Sequence, residues 1–316
     1  MHAAVVNVLG ESPKYQSFPD PEIKDGETLI HVRAAGLHPV VKAIASGAHY
    51  SSGSDHQPAI PGVDAVGTLP DGRRVYFGMI RKPWGTMAEL AAVSPAWTTP
   101  VPDGLDDAHA AAIANPGMSA WVSMQRAELA AGQTVLILGA TGVAGRLAIQ
   151  TARIMGAKRV IAAGRNIAAI SAANVDAVIG LAEPEEAIAE ALAKEVAGGI
   201  DVVIDYIWGR PAELTLEALA KGFKATATHS TRYVEVGASA GRNITLPAEV
   251  LRSVDLTLKG SGFGAAKLDE IFAAVPKLFE QAAAGNLTID VDPVPLAEVE
   301  SAWNRAKSGR RTVFTV

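Results

Sequence analysis

Cysteine is absent from this chain of 316 residues. Its absence excludes disulfides, catalysis by a thiolate, iron–sulfur clusters and zinc sites built on cysteine. Long apolar runs are also missing, because stretches such as residues 135–138 are far shorter than the roughly 18 residues of a membrane-spanning helix. The formal net charge is -5, whereas proteins that bind nucleic acids typically carry an excess of positive charge. The sequence therefore predicts a protein that spans no membrane and binds no nucleic acid.

The residues that are present favour a folded, globular protein. Hydrophobic residues make up 49% of the chain and charged residues 19%, and there are 30 glycines. This composition suits helices packed closely on a sheet, and the length predicts about two domains. The first residues show no basic segment ahead of an apolar run, so we expect a cytoplasmic protein.

The pattern of the sequence changes near residue 129. Before it, short apolar runs such as residues 28–33 and 74–78 are bounded by Asp-Gly pairs, which predicts a β-rich domain. After it, predicted strands alternate with amphipathic helices, and the strands lie at 135–138, 159–163, 177–179, 201–204, 233–236 and 256–259. This alternation predicts a doubly wound parallel sheet of the α/β class. A helix over 268–282 with a bend at Pro276, a helix over 296–306 and a strand at 312–316 are predicted for the C-terminal region.

A glycine-rich turn follows the first strand of the second region. Residues 139–145 read Gly-Ala-Thr-Gly-Val-Ala-Gly, which matches the dinucleotide fingerprint G-x-G-x-x-G except for its first glycine. Such a turn lets the backbone approach a pyrophosphate, and the helix behind it offers N–H groups to the phosphates. We therefore predict that a dinucleotide binds to Ala140, Thr141, Gly142, Val143 and Gly145. A tight turn without a ligand is the alternative.

The end of the second parallel strand indicates which nucleotide binds. An acidic residue at this point usually binds the ribose 2′-hydroxyl of NAD, whereas an arginine favours the 2′-phosphate of NADP. This chain has Arg165 and Asn166 there, with no carboxylate beside them. The sequence thus predicts NADPH as the cofactor, with its phosphate on Arg165. A solvated surface arginine is the alternative.

The order of these regions resembles the medium-chain dehydrogenase/reductase superfamily, and within it the zinc-independent quinone oxidoreductase branch. The likeness is carried by residues 34–39 (Ala-Ala-Gly-Leu-His-Pro), 60–67 (Ile-Pro-Gly-Val-Asp-Ala-Val-Gly), 85–89 (Gly-Thr-Met-Ala-Glu), 117–121 (Gly-Met-Ser-Ala-Trp), 139–145 and 295–299 (Pro-Leu-Ala-Glu-Val). It implies a GroES-like β-rich catalytic domain (1–117), a Rossmann domain (118–265) and a C-terminal return to the catalytic domain (266–316). It also implies an NADPH-dependent enzyme that transfers hydride to a quinone or an α,β-unsaturated carbonyl. A homodimer paired through the last Rossmann strand is a further implication.

The resemblance also points to candidate catalytic residues, and here the chain departs from the family. His38 stands where this branch usually has an asparagine. The position of a family tyrosine is taken by His49 in strict register, or by Tyr50 after a shift of one residue. We expect Tyr50, with His49 as its rival, to donate a hydrogen bond or a proton to a substrate carbonyl oxygen. A side chain that bonds only to the loop backbone is the alternative for each.

Three further positions are implied to contact the cofactor. Ser119 matches a Thr or Ser that lies beside the nicotinamide in relatives, although a cap at the start of a helix would explain it equally. Gly237 and Ser261 lie in turns whose backbone groups hold the nicotinamide carboxamide in the family. Relatives that prefer NADPH often add a Lys after the second strand and a Tyr after the third, and both are missing here.

We expect no metal in the site. The superfamily's zinc enzymes use a Cys, a His-Glu pair and a second Cys, whereas here His38 occupies the early loop and Gly62 is followed by Val63 and Asp64. The missing zinc favours quinones and enones, because conjugated acceptors need less polarisation than simple ketones. The competing interpretation is an NADPH-binding redox sensor or structural relative with little turnover, for which His38 would mark a degraded site.

Overall fold

The structure is a computed structural model that describes residues 1–50, 52, 57–171, 174–222, 230–305 and 309–316. The chain forms two units, one made of Met1–Pro116 and Val275–Val316 and the other of Gly117–Ala274. The first boundary lies beside the 117/118 boundary expected from the sequence. The second lies inside a helix, beyond the expected 265/266.

The N-terminal part of the first unit consists mainly of short strands. In chain order it contains β1 (His2–Val5), β2 (Lys14–Ser17), β3 (Thr28–Gly36), α1 (Pro39–Ala45), β4 (Asp64–Thr68), β5 (Arg74–Gly78), β6 (Leu90–Val93), β7 (Thr98–Pro100) and the start of α2 (Asp107–Arg126). Neighbouring strands of this part pair antiparallel. The β-rich first region is thus confirmed.

The second unit alternates strands with helices. After the end of α2 it contains β8 (Thr134–Leu138), α3 (Val143–Ile154), β9 (Arg159–Gly164), α4 (Ile167–Ser171), β10 (Ala177–Gly180), α5 (Glu185–Ala197), β11 (Val202–Asp205), α6 (Gly209–Lys221), β12 (Ser230–Glu235), α7 (Val250–Ser253), β13 (Asp255–Gly260) and the start of α8 (Leu268–Ala283). The strands pair parallel in the order β10-β9-β8-β11-β12-β13. This order confirms the predicted doubly wound sheet, and its switch point lies between β8 and β11.

Both faces of this parallel sheet are covered. Along β8, Val135 and Ile137 belong to one buried cluster, and Leu136 and Leu138 belong to another. Successive side chains of a strand point to opposite faces, so an uninterrupted apolar run is the pattern of a strand buried on both sides. The carboxyl ends of the strands carry the turns that can hold a ligand.

The C-terminal segment returns to the first unit. It contains β14 (Val291–Pro295), a single 3₁₀ turn (Leu296–Glu298), α9 (Val299–Trp303) and β15 (Arg311–Thr315). β15 pairs antiparallel with β3, which extends the first-unit sheet to the order β14-β15-β3-β4-β5-β7, and β6 also pairs with β3. The predicted helix over 296–306 is shorter in the structure, and Ala306 lies outside the described residues. α8 continues past Pro276 as one helix.

Candidate functional site

The glycine-rich turn joins the end of β8 to the start of α3. Gly139 has a φ of 83°, a left-handed conformation that favours glycine. The N–H groups of Gly139 and Ala140 both donate to the carbonyl of Ala163, at 2.9 and 3.0 Å, which ties the turn to β9. α3 then begins at Val143, and its N-cap residue Gly142 has no side chain that could cap the first turn. The first N–H groups of α3 are therefore open to an anionic ligand.

Two glycines of this turn have different surroundings. A Cβ on Gly145 would overlap the carbonyl oxygen of Gly139 and lie 2.7 Å from Ala140 Cα, so α3 packs directly on the turn. A Cβ on Gly142 would meet only the Gly139 oxygen, at 3.4 Å, and Gly142 is exposed. Gly145 is thus required for packing, whereas Gly142 leaves space at the N-terminus of α3. This space and the open N–H groups fit the pyrophosphate of a dinucleotide.

The predicted phosphate ligand lies at the carboxyl end of the neighbouring strand. Arg165 directly follows β9 and is exposed, and no described residue forms an ion pair with it. Thr141 reaches across to the same place, because a Cβ on Gly164 would lie 2.7 Å from its Cγ2. Asn166 accepts a hydrogen bond from the N–H of Ala169 at 3.3 Å, so its side chain caps α4. The guanidinium of Arg165 is available for a phosphate, while the amide of Asn166 already has a structural partner.

The turns after β12 and β13 lie on the same edge of the sheet. Gly237 follows β12, and its N–H donates to the carbonyl of Asp205 at 3.2 Å. Ser261 follows β13, is 9% exposed, and donates its N–H to the carbonyl of Glu235 at 2.7 Å. The structure therefore brings Gly237, Ser261, the 139–145 turn and Arg165 to the carboxyl edge of one parallel sheet.

Ser119 does not lie at the start of a helix, where it could act as a cap. It lies inside α2, well past the start of that helix. The buried hydroxyl of Tyr206, which follows β11, faces the side chains of Ser119 and Ser123 without meeting the geometry of a hydrogen bond. Burial raises the pKa of Tyr206, which therefore stays protonated. Ser119 thus belongs to the surroundings of the strand ends.

His38 lies inside the first unit. It follows β3 and precedes α1, and its side chain is fully buried. Its Nε2 lies 3.3 Å from Asp64 Oδ1, a distance typical of ion pairs, but its orientation does not make a hydrogen bond. The imidazole also covers Gly36, where a Cβ would be 2.7 Å from His38 Cε1. His38 therefore exposes no atom to solvent in this structure, and its expected contact with a substrate stays a prediction.

The carboxylate beside His38 is the centre of a buried polar cluster. Tyr76 donates its hydroxyl to Asp64 Oδ2 at 2.8 Å, and the hydroxyl of Thr86 donates to the Asp64 carbonyl at 2.9 Å. Arg311 is 8% exposed and donates to the carbonyl of Leu37 at 2.8 Å. Burial lowers the pKa of His38, and the nearby Asp64 carboxylate opposes this change only in part. His38 is therefore neutral at neutral pH.

The two other catalytic candidates follow the far end of α1. Tyr50 is 73% exposed, and its ring lies 4.1 Å from the ring of His49, centroid to centroid. His49 is half-buried, and burial lowers its pKa. The seven residues of α1 separate both from His38 by about 10 Å of helix. Of the three candidates, Tyr50 and His49 present polar atoms near the surface.

Within the described ranges, no helix is long and apolar enough to cross a membrane. The same part of the chain contains no group of three or more His, Asp or Glu side chains that could hold a metal ion.

Comparisons with known proteins place this site in context. No family model matches the chain. Over 99% of both chains it is 25% identical to a probable NADPH-dependent quinone reductase of Emericella nidulans. It is 32% identical to the chloroplastic NADPH-dependent alkenal/one oxidoreductase of Arabidopsis thaliana, over 45% of this chain and 41% of the plant protein, so less than half of that relative is matched. The solved quinone oxidoreductase of Thermus thermophilus, also known in complex with NADPH, has a TM-score of 0.80 and 27% identity over 100% of both chains.

A doubly wound sheet with a glycine-rich turn after its first strand, together with a mainly antiparallel unit completed by the C-terminus, defines a class of two-domain dinucleotide-binding proteins. The similarities that cover the full length of the chain point to one group of proteins within this class. Over its full length the chain resembles the quinone oxidoreductase-like branch of the medium-chain dehydrogenase/reductase superfamily.

Proposed function

We propose that the protein is an NADPH-dependent oxidoreductase that transfers hydride to a quinone or to the β-carbon of an α,β-unsaturated carbonyl. The observation that carries this proposal is the open N-terminus of α3 behind the 139–145 turn, together with Arg165, which directly follows β9 and forms no ion pair with any described residue. The named activities of the full-length relative from Emericella nidulans and of the plant relative agree with it.

Each part of the dinucleotide has residues suited to it. The backbone of Ala140, Thr141, Gly142, Val143 and Gly145 holds the pyrophosphate, and Arg165, beside Asn166, holds the 2′-phosphate. Ser119 and the turns that contain Gly237 and Ser261 orient the nicotinamide end. When bound, the nicotinamide supplies the hydride. The chain's own tasks are then to orient the reactants, exclude water and stabilise the oxygen that gains negative charge.

The donor to that oxygen is Tyr50, with His49 as its rival. An exposed phenol is protonated at neutral pH and can donate a hydrogen bond to a carbonyl oxygen of a bound acceptor. His49 is neutral because burial lowers its pKa, and its ring N–H can donate as well. His38 is buried, so we assign it a positioning role at the start of α1 in place of direct contact.

The reaction proceeds without a metal in this proposal. The support is the ligand set: the chain has no cysteine, and Val63 and Asp64 follow Gly62 where the zinc enzymes have a His-Glu pair. Side chains, the ribose hydroxyl of the nucleotide or water then polarise the carbonyl group of the acceptor. Quinones and enones are the matching acceptors, because hydride enters a delocalised system in both.

The experiment that tests the function is a screen of purified protein with NADPH and NADH against quinones, enones and simple ketones, followed by nicotinamide absorbance. We expect oxidation of NADPH with quinones or enones. Oxidation with simple ketones alone would refute the acceptor class. Binding of NADPH without turnover across the whole panel would select a redox sensor in place of an enzyme.

We also propose a homodimer formed through β13. This strand pairs only with β12 in the order of the described sheet, and it exposes Leu258 by 38%. An unpaired strand edge with an apolar side chain is a template for pairing with a second copy. Location in the cytoplasm stays a prediction of the sequence.

A further inference from the structure

The turn after β11 contains a strained residue. Trp208 has a φ of 54° and a ψ of -154°, a combination that is almost restricted to glycine. Gly209 follows with a φ of 62°, and a Cβ there would lie 2.8 Å from the carbonyl oxygen of Ala240. A side chain as large as tryptophan keeps this conformation only if the surroundings hold it.

A buried carboxylate holds the turn. Asp205 Oδ1 accepts the N–H groups of Ile207 and Trp208, at 2.8 and 2.9 Å. Asp205 Oδ2 accepts the hydroxyl of Tyr233 at 2.6 Å. Both Asp205 and Tyr233 are completely buried. The ring of Tyr233 also meets the ring of Trp208 edge-on, with 6.2 Å between centroids.

Among the described residues, Asp205 has no cationic partner, and burying such a carboxylate costs free energy. Burial raises the pKa of Asp205, and the hydrogen bonds from Tyr233 and the two turn amides oppose that change. The carboxylate thus depends on Tyr233 and on the strained turn, and the turn depends on the carboxylate. Removing the Tyr233 hydroxyl is therefore expected to loosen the Asp205 carboxylate, the ring of Tyr233 and the turn.

The same turn connects the parts of the proposed cofactor site. The carbonyl of Asp205 accepts the N–H groups of Val236 and Gly237, at 2.7 and 3.2 Å, and Ala240 donates to the carbonyl of Ile207 at 2.7 Å. On its other side, a Cβ on Gly139 would lie 2.8 Å from Ile207 Cγ2. The 206–209 turn therefore lies between the glycine-rich turn and the turn after β12, at the switch point of the sheet.

We propose that Asp205 and Tyr233 are a buried pair of positioning residues that holds the 206–209 turn in its strained conformation and thereby sets the affinity for the nicotinamide nucleotide. The pair acts through the turn and touches no reacting atom. This proposal rests on the proposed function, because it assumes that the nucleotide binds at this edge of the sheet.

Tyr233→Phe tests the proposal, since it removes the hydroxyl and keeps the ring. We expect the dissociation constant for NADPH, measured by calorimetry without acceptor, to rise about tenfold, in line with the loss of one buried hydrogen bond. Hydrogen exchange at the amides of Ile207 and Trp208 should become faster even without nucleotide. In turnover, KM for NADPH should rise with little change in kcat.

Thr231→Val is the matched control. It also removes a buried hydroxyl from β12, two residues before Tyr233, but one that donates at 2.7 Å to the carbonyl of Ile200, which precedes β11, and not to the turn after β11. We expect this variant to keep the wild-type affinity and the wild-type exchange at residues 206–209. Equal weakening of NADPH binding in both variants would mean that the effect of Tyr233 is only structural, and would overturn the proposal.

Substitutions of Asp205 provide the second arm, which also serves if Tyr233→Phe does not fold. Asp205→Asn retains an oxygen for the turn amides and should stay near the wild-type affinity, whereas Asp205→Ser should weaken binding. Wild-type affinity and exchange in Tyr233→Phe and Asp205→Ser would overturn this inference alone. A wild-type protein that binds neither NADPH nor NADH would overturn the proposed function, and this inference with it.

Discussion

Replacement of Gly142 by alanine distinguishes two interpretations of the 139–145 turn: a turn that binds phosphate, and a tight turn without a ligand. Gly142 has a φ of -73° and a ψ of 163°, which alanine adopts without strain, and its new Cβ would meet only the Gly139 oxygen at 3.4 Å. Because the unfolded chain loses freedom, Gly142→Ala should leave the protein as stable as the wild type or raise its free energy of unfolding by about 0.4–1 kcal/mol. The methyl group, however, occupies the space at the N-terminus of α3.

We expect Gly142→Ala to weaken the binding of the nucleotide without lowering the stability of the protein. If the methyl displaces the pyrophosphate far enough to lose one charge-assisted hydrogen bond, roughly 1.5–3 kcal/mol of binding free energy is lost. That corresponds to a dissociation constant for NADPH roughly 10 to 150 times higher. Calorimetric titration gives the affinity, and denaturant unfolding gives the stability.

Gly145→Ala is the matched comparison within the same turn. Its Cβ would overlap backbone atoms of Gly139 and Ala140, so we expect a loss of about 1–3 kcal/mol in stability together with weaker binding. Unchanged NADPH affinity in a stable Gly142→Ala protein would show that the turn holds no phosphate.

Three further predictions address the nucleotide phosphate, the buried histidine and the dimer. Arg165→Glu should raise the dissociation constant for NADPH by roughly tenfold or more and change that for NADH little, since a charged hydrogen bond is lost; equal affinity of mutant and parent for NADPH would remove the assignment. Burial lowers the pKa of His38 below its ordinary 6.5, so below pH 6.5 the unfolded chain binds a proton more readily at this side chain than the folded chain does. Its contribution to stability is therefore present above pH 6.5 and is lost as the pH falls, by up to about 1.4 kcal/mol per pH unit. Unfolding measured against pH should show a shallower acid loss for His38→Asn, and parallel curves would contradict the burial of a neutral imidazole. Leu258→Lys should yield monomers in light scattering if β13 forms the dimer, whereas an unchanged mass would exclude that edge.

The features that sequence reasoning predicted correctly are local. A strand such as β8 is a continuous apolar run, and the glycine-rich turn and α3 follow it directly, so a short stretch of sequence determines all three. The parallel, doubly wound sheet was the exception, because it was predicted from the alternation of strands and helices over the whole second region.

The features that sequence reasoning missed depend on distant residues. His38 is buried because Asp64, on another strand, and the C-terminal Arg311 complete a polar cluster around it. The backbone conformation of Trp208 is unfavourable for a tryptophan by itself, and the hydrogen bonds of Asp205 and Tyr233 hold it in place. One signal was available in the sequence: an acidic residue at the end of the buried run 202–205, where an apolar one is expected.

Hydride transfer from NADPH to an acceptor can be followed directly with an isotope label. Purified protein is supplied with NADPH deuterated at the transferred position and with an enone, and the product is analysed by NMR. We predict that deuterium appears at the β-carbon of the saturated product and that Gly142→Ala and Arg165→Glu slow its appearance. NADPH binding with no deuterium in any enone product and no NADPH oxidation by any quinone, or deuterium transfer only to simple ketones, would contradict the proposed function.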